Sequence, residues 1–428
     1  METILNNLSC RNFISFLNKL AVVFLFLGAG FILPLTLSAQ ESVWLLFFPV
    51  SGWNTPGIFS VRGTAMGETA FGNTGAQSAF LNPAVLSLDS QFMLDISSRF
   101  ASTYYYGNQI RNPYFEGYTK FKKNYFNFES GSLATRIKDW NVGLGYSIYQ
   151  NFHYPDIFFE VYEGEACNQA GKVNSFYLDL SRRLNSWFVA GFSVAYLTGS
   201  ITRQQTINHL GTYNKADYDI GLRGVLFNIG FIFSPTSDLD LGLSLRPAVK
   251  LHIKATENIT RTNGEQVKET YTGKYFFQQP FVATASIRYE PVDYFQMTAD
   301  LSYWQWKKAV HNFYNLFGWF LPPENPDDVD AQTDIFLDNA LKFNFGMEYR
   351  LHLGLRPIDN LIMRAGYIYD PLNYFNGHKY SSEIVTVGLG IPIGNFEASV
   401  ALRIWLSPAK EDSFKYNAIQ LGFTYKLQ

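Results

Sequence analysis

The chain has 428 residues and a net charge of −2, so no basic surface argues for nucleic acid. Charged residues make up only 16% and aromatics 17%, with 39 Phe and 27 Tyr. That is poor in charge for a soluble domain, where roughly 25% is usual, yet only one long apolar run exists, so a bundle of membrane helices is excluded as well.

That run is N-terminal. Arg11 and Lys19 precede LAVVFLFLGAGFILPLTLSA (20–39), which reads as a secretory signal peptide over 1–39 with cleavage before Gln40. A retained membrane anchor is the competing reading, since Leu37, Ser38 and Ala39 are an imperfect small-x-small site. Cys10 falls inside the signal, which leaves Cys167 alone: no intrachain disulfide and no cysteine metal site. The six histidines (153, 209, 252, 311, 352, 378) have no ligand spacing, so neither a metal nor a cofactor is expected. VWLLFFPV (43–50) is very apolar for a mature N-terminus and has no assigned role.

Residues 40–90 lack strong periodicity and read as a separate module. They contain the small-residue stretch GTAMGETAFGNTGAQS (63–78) and then AFLNPAVLSL (79–88). Pro83 cannot donate a backbone hydrogen bond and pushes Asn82 out of helical geometry, so the step is a stiff kink.

From 91 to 428 the pattern has period two. Fourteen strands are expected at about 91–105, 124–138, 140–153, 172–184, 186–200, 222–233, 237–253, 274–289, 292–306, 338–352, 359–370, 380–391, 393–407 and 412–428. In LDLGLSLRPAVKLHI (239–253) one face holds Leu239, Leu241, Leu243, Leu245, Pro247, Val249, Leu251 and Ile253, and the other Asp240, Arg246, Lys250 and His252. Short turns are expected at 138–141, 184–186, 234–238, 290–293, 353–359 and 391–395. They alternate with longer loops at 106–123, 154–171, 201–221, 254–273, 307–337 and 371–379; the last connection, 407–412, is short for its series. Lipid leaves backbone groups unsatisfied, so a spanning sheet must close. An even strand number, alternating short turns and long outer loops, and aromatic girdles describe an all-β fourteen-stranded antiparallel outer-membrane barrel. The girdle is assigned to Tyr104–Tyr106, Trp140, Trp187, Trp304, Trp306, Tyr367, Tyr369 and Trp405. The C-terminal strand ends in Gln428 rather than an aromatic residue.

So wide a barrel encloses space, and a glycine-rich module before its first strand suits a plug in the lumen. The stretch resembles the hatch of the outer-membrane long-chain fatty-acid transporter family (FadL-like) through Gly63, Met66, Gly67, Ala70, Gly75, Ala79, Asn82, Pro83, Ala84 and Leu86. Related barrels such as OmpP, TodX and the PorV-like component of type IX protein secretion share it. The resemblance implies fourteen strands, an N-terminal plug and an integral monomer of the Gram-negative outer membrane, inserted by the barrel-assembly machinery and surrounded by its lipid. It implies passage of hydrophobic small molecules such as long-chain fatty acids, with Gly63, Gly67, Gly75, Asn82, Pro83 and Ala84 as hatch and gate. The plainer reading is that Asn82 and Pro83 only shape a turn. PorV-like protein secretion is the alternative function. No G-x-S-x-G or Ser/His arrangement supports an enzyme.

Candidate ligand contacts fall in two groups. Arg246, Arg288, Arg350, Arg364 and Arg403 lie on the lumen face with Asp179, Asp300, Glu348 and Glu397. Each arginine either grips a carboxylate head group or pairs with one of those acids. In the longest loop Phe313, Phe317, Trp319 and Phe320 offer an apolar outer groove, or a helix packed on the rim. Pro247 and Pro280 lie in consecutive strands. Pairing Ile253 with Lys274 would set them opposite each other, a seam lacking two donors: a lateral opening, or a bulge near the rim. No break is expected in the third strand, 140–153, where the family's wall is interrupted.

Overall fold

In Phe295–Trp304 the alternation is realised side chain by side chain: Gln296, Thr298, Asp300, Ser302 and Trp304 are buried, while Leu301 and Tyr303 are exposed. The computed structural model describes residues 59–73, 75–88, 92–108, 118–153, 157–159, 165–209, 212–263, 265–308, 339–355, 358–371, 382–406 and 413–427. The expected signal peptide, residues 43–50 and the outer-loop residues Phe313, Phe317, Trp319 and Phe320 lie outside the described residues.

Fourteen strands follow one another around a closed antiparallel sheet. They are β1 (Phe92–Asn108), β2 (Tyr118–Ile137), β3 (Trp140–Asn151, continued by Ile157–Phe159), β4 (Glu165–Arg183), β5 (Phe188–His209) and β6 (Thr212–Phe233). Then come β7 (Leu239–Arg246 and Val249–Asn263), β8 (Glu265–Gln279 and Val282–Val292), β9 (Phe295–Trp304) and β10 (Ala340–Leu355). β11 (Ile358–Asp370), β12 (Ser382–Ile393), β13 (Phe396–Trp405) and β14 (Ser413–Leu427) complete the wall. β1 pairs with β14 from Phe92↔Leu427 to Tyr106↔Ser413, which closes the barrel and leaves no free edge there. The outward face is apolar: Leu94, Phe100, Leu144, Phe192, Ile229, Leu243, Leu301, Phe343, Ile404 and Leu421 are all exposed. A closed barrel with that exterior is built for lipid.

Several expectations change. The presumed loops 201–221 and 254–273 are mostly strand, because β5 runs to His209, β6 starts at Thr212, β7 runs to Asn263 and β8 starts at Glu265. The outward side chains described there, such as Thr202, Gln204 and Lys254, are polar, so the apolar contrast that marks a membrane strand is missing. Trp304 and Trp405 face inward, each only 8% exposed, and are not girdle residues; Trp140 and Trp187 are exposed beside the short turns.

The third strand is interrupted after all. β2 pairs with β3 only from Ile137↔Trp140 to Ser130↔Ser147. Beyond that point residues 147–152 are all buried, and β3 follows β4 alone, with a register shift between Ile148 and Gln150. A strand whose consecutive residues are all buried has left the plane of the wall and turned inward.

β7 also departs from its expected faces. Leu241 and Leu243 point outward, but Leu251 and Ile253 are buried and Lys250, His252 and Lys254 are exposed. The face switches across Pro247 and Ala248, as an extra residue in a bulge requires.

The segment 59–88 lies inside the sheet. It holds a short helix, α1 (Val61–Ala65), capped by the Ser60 hydroxyl, which accepts from Gly63 N at 2.9 Å, then three 3-10 turns. It touches inward residues from β1 to β14, and the wall thins to receive it. Gly143, Gly191, Gly230, Gly242, Gly346, Gly366, Gly388 and Gly422 sit against it. A Cβ at Gly143 would stand 2.7 Å from Ala76 Cβ, and one at Gly388 2.5 Å from Ala65 Cβ, closer than real side chains come.

Candidate functional site

Ionic and amide side chains hold the inner segment to the wall. Arg62 pairs with Glu348 at 2.7 Å and donates to Gln296 Oε1 at 3.1 Å. Glu348 also takes Arg364 at 2.8 Å, and Arg364 in turn reaches Glu397 at 2.7 Å. Glu68 pairs with Arg403 at 3.1 Å and lies 3.8 Å from Lys342 Nζ. Ala70 N donates to Asp300 Oδ2 at 2.7 Å, and Gln77 Nε2 to Asp95 Oδ1 at 2.9 Å.

The hatch residues named from sequence serve backbone shape here. Gly67 (φ +67°) and Gly75 (φ +55°) adopt left-handed conformations that favour glycine. Gly67 N donates to Thr386 Oγ1 at 3.1 Å, and Gly63 packs against the Asn73 side chain. Asn82 works in both directions: its Oδ1 accepts from Ala84 N at 3.0 Å, bridging Pro83, while its Nδ2 donates to Phe231 O on β6 at 3.2 Å. It therefore both shapes the turn and tethers it to the wall.

The five arginines separate by partner. Arg288 pairs with Asp240, Arg364 with two glutamates and Arg403 with Glu68. Arg350 sits at the turn end of β10, its side chain 46% exposed, on Glu348 and Asp293 O, so it does not face a lumen ligand. Arg246 differs. It is buried on β7, and its Nε and Nη2 have no hydrogen-bond partner among the described residues. Its guanidinium carbon stands 4.6 Å from the Phe80 ring and 4.9 Å from the Trp304 ring. Stacking between aromatic faces suits a guanidinium, but leaves its donors available.

Arg246, Phe80 and Trp304 line a narrow cavity of about 20 Å³ between the inner segment and β6–β10. Phe59 and Leu81 add apolar surface, and Asn228, whose Nδ2 donates to Phe80 O at 2.9 Å, fixes the segment at its rim. Phe80 also meets Tyr149, on the inward-turned part of β3, edge-on at 5.6 Å. Phe80 and Trp304 are the contributors that sequence reading missed. Phe80 is a large ring among small residues, and Trp304 shares the inward parity of Asp300 and Ser302; those were the available signals.

Pro247 and Pro280 do not face each other. The ladder runs to Val249↔Gln279 and resumes at Arg246↔Val282, one residue off the expected register, so they are diagonal neighbours across an unpaired step. Gln279, beside that step, is buried with neither amide atom hydrogen-bonded among the described residues.

Fold, exterior and filled lumen define a β-barrel of the outer-membrane class. No family model matches this chain, and no curated protein does. Among solved structures, a Pseudomonas aeruginosa FadL homologue superposes at a TM-score of 0.63 and 13% identity, over 88% of this chain and 100% of that one. The P. putida toluene transporter TodX follows at 0.61 and 13%, covering 87% and 98%. The Ralstonia pickettii toluene transporter TbuX superposes at 0.58 and 14%, covering 88% and 100%. This chain therefore has the fold of the FadL-type barrels.

Proposed function

We propose that the protein is an outer-membrane transporter for hydrophobic small molecules, with residues 59–88 as its hatch, and that it takes long-chain carboxylates. The reading rests on Arg246: a buried guanidinium, held between two aromatic rings at a cavity, with no acid paired to it among the described residues. Leaving such a charge unpaired is costly, so an anionic head group is the complement the site lacks. The apolar rings beside it suit the start of an acyl chain. A neutral aromatic such as toluene would use the rings and leave the cation unsatisfied. The fold supports transport, since solved barrels of this shape are described as toluene transporters. The inner segment supports small cargo over the PorV-like reading, because it occupies the lumen that protein cargo would need.

Native mass spectrometry of protein purified gently from outer membranes tests this. Bound fatty acid, lost in Arg246→Ala, is the expected result. A stoichiometric protein partner with no small ligand would overturn it in favour of secretion.

A further inference from the structure

The outward face of β6, β7 and β8 changes character within a few residues. Toward the short turns it is apolar, with Phe227, Ile229, Leu241, Leu243 and Ile287 exposed. Toward the outer loops it turns basic, with Arg223, Lys250, Lys254 and Lys274 all exposed. The strand registers bring these four cations together. Arg223 on β6 is the direct partner of His252 on β7, itself exposed, and Lys254 on β7 is the direct partner of Lys274 on β8. Lys250 Nζ stands 4.5 Å from the ring centre of Phe276, which pairs with His252. Neighbouring strands lie about 4.8 Å apart and rise about 3.3 Å per residue, so the patch is about 10 Å wide and about 13 Å tall.

The protein supplies this patch with little counter-charge. Among the described residues none of the four cations forms an ion pair. The next outward acid along β6 is Asp219, whose partners are Thr202 and Thr256, one row beyond Lys254. Farther out on the same strand Lys215 does have an acid, Asp217, at 2.9 Å. Like charges on direct cross-strand partners repel, so the Lys254 and Lys274 row calls for an anion from outside.

The height of the patch narrows the source of that anion. Tyr196 on β5 is exposed and pairs with Val225, one row below Arg223↔Thr198. An aromatic ring at the end of an apolar band marks the level of lipid head groups. The cations therefore meet the outer leaflet at its head groups, with apolar wall for acyl chains directly beneath. A phosphate monoester carries about 1.5–2 negative charges at neutral pH, so two of them offset four cations. A phosphodiester carries only a single charge. A sugar scaffold can hold two phosphates apart across a patch of this size.

We propose that Arg223, Lys250, Lys254 and Lys274 form a docking surface for a bisphosphorylated glycolipid of the outer leaflet, the lipid A part of lipopolysaccharide. The surface lies outside the wall and does not involve Arg246, so its occupant is a boundary lipid and not cargo.

Titration of the purified full-length protein in maltoside detergent with bisphosphoryl lipid A, read by native mass spectrometry, tests this. A basic residue at a charged lipid surface is worth about fivefold in affinity, so Lys250→Ser/Lys254→Ser/Lys274→Ser should bind about 100-fold more weakly. Lys268→Ser, exposed farther out on β8, should bind as the unaltered protein does. Oleate in excess should not displace lipid A. Undiminished binding by the triple variant would overturn the proposal. Cardiolipin or phosphatidylglycerol binding as tightly as lipid A would overturn it too, as would displacement by equimolar inorganic phosphate or by oleate. Should the triple variant not fold, Lys274→Ser alone should weaken binding about fivefold, and no change there would likewise overturn it.

Discussion

The guanidinium of Arg246, on the wall, lies 4.6 Å from the ring of Phe80, on the inner segment. The opposite neighbour of that ring is Tyr149, on the part of β3 that bends inward. One aromatic side chain thus joins both breaks in the wall to Arg246, which has no acid partner among the described residues. A ligand held at Arg246 would share its contact surface with the seated inner segment.

Arg246→Met keeps length and apolar bulk while removing the charge. A hydrogen bond to a charged group contributes about 1.5–3 kcal/mol, so oleate affinity should fall about 10- to 100-fold. Toluene binding should hardly change. The thermal unfolding midpoint should hold or rise, because an unpaired buried charge is gone. Titration monitored by tryptophan fluorescence, with Trp304 at the site, reads the first two. Unchanged oleate affinity would show that the guanidinium is not its receptor.

Glu348 anchors the inner segment by accepting from Arg62, Arg364 and Arg350. Glu348→Gln leaves two buried cations short of charge, and breaking a buried pair costs about 3–5 kcal/mol. The segment should loosen, seen as proteolysis within 59–88 and as larger single-channel currents in planar bilayers. Arg350→Ala, at an exposed rim, should cost no more than about 1 kcal/mol and leave the current unchanged. Equal behaviour of the two variants would place the anchor elsewhere.

Asn82 separates turn from tether. Asn82→Asp keeps an acceptor for Ala84 N but loses the donor to Phe231 O, whereas Asn82→Ala loses both. Loss of a local side-chain cap costs about 1 kcal/mol. The aspartate variant should nevertheless be the less stable, because Asn82 is fully buried and the new carboxylate would face the Phe231 carbonyl unpaired, and both should show raised current. Raised current in the alanine variant alone would assign the role to the turn.

All fourteen strands were legible because lipid outside and polar side chains inside give opposite parities their contrast. The contrast fails where its cause does. In TRQQTINH the outward Thr202 and Gln204 are polar and exposed, so the stretch reads as loop, yet it is strand. Pro247 announced a break in β7, but Val249, Leu251 and Ile253 suit an apolar lumen as well as lipid, so the switch of face was invisible. The bend of β3 has no local signal in GLGYSIYQN; it shows only in the pairing with β4. Four of the five arginines assigned to the lumen face proved to have acid partners, and Arg350 sits at the exposed rim, which depends on where acids from distant strands and from the inner segment converge. The glycine belt needs the inner segment in place before its purpose shows.

That belt gives the sharpest contrast between equal substitutions. Gly388→Val would set side-chain carbon against Ala65 Cβ, on the inner segment's helix, at less than contact distance, and 2.8 Å from Val400 O on β13. Gly394, at the turn between β12 and β13, has open space around its missing Cβ and differs only in its left-handed φ of +58°. Gly394→Ala should therefore cost about 1 kcal/mol through strain alone and leave conductance unchanged. Gly388→Val should keep the barrel folded, since that side chain points into the lumen and its strand pairing is intact. It should displace the inner segment instead, with currents raised as in Glu348→Gln. Planar-bilayer recordings beside heat-shift electrophoresis distinguish the two effects. A closed channel in Gly388→Val would mean that the segment seats without the glycine.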